Sequence, residues 1–380
     1  MRGDRRSPGN AAGPHIVSRS SNGIRGHAPV PHGTERGAGR LAHCAVLMGA
    51  LLLVGCPPAE PAPPRPCVLL LTIDRFANLA DPEVDVPHLD ALRAQGVEFE
   101  DAVAASPDLR ANCAAILTGL HPTNSGCHTL FQPVSAASWT MAERCYEQDV
   151  WTGAVVAVAP MANALGLEQG FEEYDGQLYD GPDQVVPIAR SWLADRAVSD
   201  GGFLMWLHLG GETLGPVDRA VGALRAALDE HGLAARTTIV LAGTRGLVTT
   251  GDLAMSVPLV IHHPDTSPAV RSERVGLIDI APTALELLIG HPGEGHDATS
   301  LVGPILGLPA DHHAVATEID LGEVRIAYCR GWRSTRRIGQ DPVPLLPPAD
   351  PPRDVENALR VALGAAPLPE IEAEPEPASD

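Results

Sequence analysis

The residues Val68-Leu69-Leu70-Leu71-Thr72-Ile73 form an almost unbroken apolar run that ends in an acid, Asp74. A run this short and this apolar reads as a strand buried on both faces, the condition of a central strand in a parallel sheet. An acid at the carboxyl end of such a strand lies where α/β proteins place their sites. Further strands are predicted at Thr152–Ala159, Phe203–Leu209, Thr237–Ala242 and Val257–His262. Helical patterns stand between them at His88–Gln95, Asn112–Thr118, Val217–Glu230 and Ile278–Ile289. Such alternation predicts an α/β fold, a mainly parallel sheet sandwiched by helices. After about residue 310 the pattern shortens to Ala314–Thr317, Val324–Cys329 and Trp332–Ile338, a small antiparallel subdomain. A proline-rich stretch at 342–352 and the acidic end at 367–380 read as irregular.

The first 55 residues hold seven arginines against Asp4 and Glu35, a local charge of +5 in a chain of net charge −20. The apolar run Ala45–Gly55 is too short to span a bilayer and matches the h-region of an export signal. It ends in Leu53-Val54-Gly55-Cys56, which resembles a bacterial lipobox, so Cys56 is the expected lipidated residue. The expected organisation is therefore a disordered n-region and signal at 1–56 and a stiff proline-rich tether at 57–66. An α/β core at 67–308, a small subdomain at 309–366 and a disordered acidic tail at 367–380 follow. The expected location is the cell envelope. The outer membrane is favoured, because Pro57 stands where an Asp would direct inner-membrane retention.

All 27 basic residues are arginines, which removes Schiff-base and P-loop chemistry. A strongly acidic body argues against nucleic acid as a partner. The partners expected are the membrane, through the lipid, and an envelope ligand or protein that the sequence does not identify. Cys67, Cys113, Cys127, Cys145 and Cys329 show no CxxC or Cys/His zinc spacing. One or two disulfides and isolated buried thiols are both open readings.

Seven segments, in order, resemble the sulfatase branch of the alkaline-phosphatase superfamily. Val68–Asp74 is similar to its first strand and first metal aspartate, and Val86–Phe99 to the "TPNLDALAAEGVRF" helix. Ala114–Pro122 resembles the helix behind the nucleophile, "ASLLTGLYP", and Gly166–Asp175 the "GLxQGFDxYD" segment. Val257–Ile261, Leu277–Thr283 and Asp350–Leu359 are similar to later blocks. The resemblance implies a divalent cation held by aspartates and a His or Asn, and a Ser, Thr or formylglycine nucleophile at a helix start. It also implies basic groups for the ester oxygens and a His for proton transfer.

The residues that the resemblance assigns to this chemistry are replaced. Counting back from Leu117-Thr118-Gly119 puts Leu109 at the nucleophile position, and Ala111, Asn112 and Cys113 at the following Pro, Ser and Arg. In place of the metal-binding "SDHG", the chain reads Gly243-Thr244-Arg245-Gly246, with Arg245 at the His. A cation there is expected to stabilise Asp74 by a charge-assisted bond. Arg75 takes the place of the second acid or Thr. The remnant pocket is thus Asp74, Arg75, Asn112, Cys113 and Arg245, with Asp108 and His208 as remnant catalytic candidates. His208 reads first as a satisfied strand-end histidine, and His262, His263, His312 and His313 as loop or surface residues. Asp175 and Asp279 read as caps or turn residues, and Asp252 as the remnant of a "LGDHG" loop. Two functions remain. One is a sulfatase-like lipoprotein without catalysis that binds or scaffolds, needing no cofactor. The other is an active sulfuric or phosphoric ester hydrolase with a rearranged site around Asp74, Asp108, His208 or Asp252, using Ca or Mg.

Overall fold

The computed structural model describes residues 63–74, 84–157, 165–177, 179, 181–210, 213–246, 255–309, 314–319, 322–330, 332–337, 339–346 and 351–367. Cys56, Arg75, Asp252, His312 and His313 lie outside them, as does the whole signal region. No helix among the described residues is long and apolar enough to cross a membrane.

Among the described residues eight strands form the main sheet: β1 Cys67–Ile73, β2 Val97–Val103, β3 Trp151–Val156, β4 Glu173–Asp175, β5 Phe203–Leu209, β6 Thr237–Gly243, β7 Ser256–His262 and β8 Ala269–Gly276. Their order is β4-β3-β5-β1-β6-β7-β2-β8. Only β7 runs against its neighbours; the other pairs are parallel. Strand β1 sits between β5 and β6 and is buried throughout. Its side chains alternate between two cores. Val68 and Leu70 join the side covered by helices Leu109–Thr118, Met141–Tyr146 and Ile280–Ile289. Leu69, Leu71 and Ile73 join the side covered by Pro87–Gln95, Pro182–Ala197 and Leu214–Glu230. This two-sided burial is why the run lacks the polar alternation of a half-exposed strand.

A second, antiparallel sheet has the order β12-β11-β10-β9, with β9 Val315–Ile319, β10 Val324–Cys329, β11 Trp332–Arg337 and β12 Val343–Leu346. The proline-rich stretch expected to be irregular therefore contains an edge strand. Pro344 is tolerated because an edge strand has one side free of ladder bonds. From Arg353 the chain continues as a helix to Ala362; Val355 and Leu359, and Leu363 at its C-cap, pack on β10 and its neighbours at four-residue spacing.

Other boundaries also differ from the sequence pattern. The helix expected from Asn112 begins at Leu109, because Asp108 caps it: Oδ1 accepts from the amides of Arg110 (3.0 Å) and Ala111 (3.3 Å). Gly119 ends it in the left-handed conformation, as expected. The strand expected to reach Ala159 stops at Val156. Strands β2 and β8 have no clean apolar alternation; β8 is held to β2 by the cross-strand pair Arg274–Asp101 at 2.8 Å. All five cysteines among the described residues are buried free thiols.

The loop Gly166–Phe171 presses its backbone against the start of helix Met141–Tyr146. Thr140 and Thr152 donate to the carbonyls of Gln169 and Gly170 at 2.8 and 2.7 Å. Gly170 has φ +82°, and a Cβ there would lie 2.1 Å from the amide nitrogen of Glu143. Gly170→Ala is expected to cost more than about 2 kcal/mol, read as a melting temperature lower by several degrees in calorimetry.

Candidate functional site at the end of strand β1

The carboxyl end of β1 carries an ion pair. Arg245, two residues past β6, places Nε 2.5 Å from Asp74 Oδ1 and Nη2 2.7 Å from Oδ2. Both groups are largely buried. The fork of donors matches the two carboxylate oxygens, the strong geometry for such a pair. Thr244 fixes the approach: its amide donates to the Ile73 carbonyl at 2.8 Å and its hydroxyl to the same oxygen at 3.1 Å. Asp74 and then Asp108 and Cys113 hold the Arg245 guanidinium above its ordinary pKa, the hydrogen bond to Asp74 being the largest cause.

Beside this pair, on the face covered by helix Leu109–Thr118, lies a buried polar chain. Trp206 Nε1 donates to Thr72 Oγ1 at 2.9 Å, and Thr72 Oγ1 lies 2.8 Å from His208 Nδ1. Register places Thr72 directly opposite His208 across the β1–β5 ladder. His208 Nε2 has no partner among the described residues. Burial, the largest effect, pushes the His208 pKa down to about 4; Asp74 pulls it up and Arg245 pushes it lower. The ring is therefore neutral at physiological pH.

The remaining site residues are occupied in holding loops. Asp108 caps the helix and accepts from the Leu130 amide at 3.2 Å. Leu109 is in the core at 2 % exposure, at the first position of the helix. Asn112 clasps the backbone of Ser106, accepting from its amide at 2.9 Å and donating to its carbonyl. Arg110, fully buried, donates to the Leu130 carbonyl at 2.8 Å. Cys113 is buried in the core; burial raises its pKa well above the ordinary thiol value, and Asp74 adds to the effect. The structure thus brings Asp74, Arg245, His208, Asp108 and Cys113 into one electrostatic neighbourhood. Asp175 and Asp279 take local roles: Asp175 accepts from the Gln177 amide and Asp279 from those of Gly276 and Thr299. His263 shapes a turn, accepting from the Asp265 amide at 3.2 Å.

A divalent cation, which the sequence resemblance implies, does not fit these residues. Both oxygens of Asp74 are bonded to Arg245. Among the described residues no three His, Cys, Asp or Glu side chains are grouped to hold a metal. The Thr72–Trp206–His208 chain is not apparent from the sequence motifs. Its only signal is that a polar residue interrupts two apolar strands, at Thr72 and at His208.

No family model matches the chain. Among solved structures it superposes on a phosphonate monoester hydrolase of Agrobacterium radiobacter with a TM-score of 0.60 and 14% identity, covering 74% of this chain and 89% of that one. On a 2-O GAG sulfatase the TM-score is 0.57 with 12% identity, covering 72% and 83%. The fold is that of the sulfatases and alkaline-phosphatase-like hydrolases. In sequence the chain is 23% identical over 288 residues to mouse ectonucleotide pyrophosphatase/phosphodiesterase family member 7, 64% of each chain. It is 35% identical over 69 residues to an ulvan-active sulfatase of Formosa agariphila, 17% of this chain and 14% of the relative. The chain spans less than two thirds of the length of these two curated relatives.

Two outcomes follow from the site's physics. Between pH 6.5 and about 4 the unfolded chain binds a proton that buried His208 refuses, so folding stability falls as pH falls through that window. The loss amounts to about 3 kcal/mol by pH 4, and His208→Gln is expected to flatten it in denaturant titrations run across the window. Arg245→Ala leaves Asp74 without its bidentate partner and is expected to cost about 2 kcal/mol. In a double-mutant cycle with Asp74→Asn, most of that cost should vanish.

Proposed function

We propose that this chain is a sulfatase-like envelope protein that has lost ester hydrolysis and retains a binding or scaffolding role, anchored by a lipid on Cys56. The observation that carries the reading is the Asp74–Arg245 pair: a side-chain cation sits on the carboxylate that would hold the catalytic metal. Leu109 supports it, since a buried aliphatic side chain stands at the helix start where a nucleophile is required. A cleft of about 280 Å³ above that helix start, lined by Ser106, Asp108, His128, Thr129 and Glu318, supplies a place for a ligand. The anchor rests on the sequence Leu53-Val54-Gly55-Cys56 and the apolar run before it.

The test does not require a substrate to be guessed. Thermal unfolding is recorded in EDTA and then in millimolar calcium, magnesium, manganese or zinc, alongside turnover of aryl sulfate and phosphate esters. A native site filled at 100 times its dissociation constant adds about 2.7 kcal/mol, which moves the melting temperature by several degrees. The expected result is no cation-dependent rise and no turnover above buffer. A clear rise together with turnover would establish instead an active hydrolase with a rearranged metal site.

A further inference from the structure

One row of residues across the small sheet carries unbalanced charge. Register puts Arg325 on β10 directly opposite Glu318 on β9 and directly opposite Arg336 on β11. Residues opposite one another share a face of the sheet. This face is the one covered by helix Arg353–Ala362, since Ala316 and Ala327, each two residues along, pack with Val355, Leu359 and Leu363. Two guanidiniums directly across a ladder repel, an arrangement that destabilises a sheet.

Glu318 answers only one of the two. Its Oε1 accepts from Arg325 Nη2, and its Oε2 from the amide and the hydroxyl of Thr123, both at 2.8 Å. Arg336 has no carboxylate partner among the described residues. Its Nε donates to the Gln340 carbonyl at 2.9 Å and its Nη1 to those of Leu363, at 3.0 Å, and Gly364. Arg325 Nη1 donates to the Ala362 carbonyl at 3.2 Å. Carbonyls are neutral, and a helix end adds only about half a negative charge, short of the whole one that would balance the row. Of the N–H groups on a guanidinium, the two on Arg336 Nη2 have no acceptor among the described residues. Room lies against these groups. A cavity of about 240 Å³ is lined by Arg325, Arg336, Thr123 and three glycines, Gly322, Gly339 and Gly364. A Cβ on Gly364 would stand 3.5 Å from Nη1 of Arg325 and 3.5 Å from Nη1 of Arg336. The two guanidiniums thus converge on a point that no side chain fills.

We propose that this cavity binds a tetrahedral oxyanion, a phosphate or sulfate group, between Arg325 and Arg336. Its charge would balance the row, and Arg336 Nη2 would donate to it in charge-assisted bonds. None of the lining residues belongs to the neighbourhood of Asp74, so the site stands or falls independently of the loss of hydrolysis.

The full chain is dialysed to equilibrium against radiolabelled inorganic phosphate in chloride buffer of constant ionic strength. Saturable binding at millimolar phosphate or below is expected, weakened about tenfold or more by Arg336→Gln. Gly364→Asp is expected to weaken it as much while leaving both arginines in place, because its carboxylate would occupy the point where they converge. Gly364 has φ +69°, a left-handed conformation that Asp tolerates better than most residues. Melting temperatures in chloride check that the variants fold, and Gly364→Asp carries the test where Arg336→Gln does not. Unlabelled sulfate is expected to displace the label. Glycerol 3-phosphate separates the sources: displacement equal to that by free phosphate assigns an esterified head, and much weaker displacement assigns the free ion. No saturable binding at millimolar phosphate, or binding by folded Gly364→Asp equal to that of the unsubstituted chain, would overturn the site.

Discussion

Strand β1 is enclosed by β5 and β6 at its edges and by a helical layer on each face, so whatever stands at its carboxyl end is positioned by the whole core. Asp74 is that residue. The adjoining strand end, Thr244-Arg245 after β6, is tied to the same point by two bonds to the Ile73 carbonyl. The ion pair between Asp74 and Arg245 is therefore a consequence of sheet register. Its two partners lie far apart in sequence, and neither needs a flexible loop to find the other. Rigid support of this kind makes a bidentate guanidinium–carboxylate contact worth more than a pair on mobile side chains.

Much of the architecture was legible because burial leaves a strong imprint on composition. Phe203–Leu209 and Thr237–Gly243 are central strands, buried on both faces, and their limits follow from the apolar run itself. The edges left no such imprint. Strand β8 reads Ala269-Val-Arg-Ser-Glu-Arg-Val-Gly276, and its cohesion comes from backbone pairing with β2 and the Arg274–Asp101 pair, interactions without a local pattern. Strand β12 was hidden by its prolines, which signal irregularity anywhere but at an edge. In the site, motif spacing was enough to bring Arg245 to Asp74, but the helix pattern placed the start at Asn112, three residues past Leu109. The roles of Asn112 and Asp108 were not legible, since clasping Ser106 and capping a helix depend on how a loop folds back.

The polar groups near Asp74 hold the surrounding backbone. Asn112 satisfies a backbone that would otherwise be buried unpaired, Asp108 neutralises the open amides of a helix start, and Arg110 closes on the Leu130 carbonyl. Each of these groups has chemistry that a catalytic site could use. Each also bonds to the chain itself, which fixes the loops around the start of that helix.

Charge balance carries the reading one step further. A divalent cation at a strand end is stabilised by several acids, whose combined negative charge offsets its own. Here one carboxylate faces one guanidinium, so the pair is already neutral. Placing a second, doubly charged cation there would set it against Arg245 in a partly buried space where charge is poorly screened. Asp108, the other carboxylate acting on Arg245, has its oxygens turned to the helix amides and to Leu130. His208 does not offset the charge, because burial keeps its ring neutral and it adds no negative charge. Electrostatics, independently of the nucleophile position, therefore opposes metal binding by the described residues. Deleting Arg245 alone would remove that opposition without supplying the missing acids.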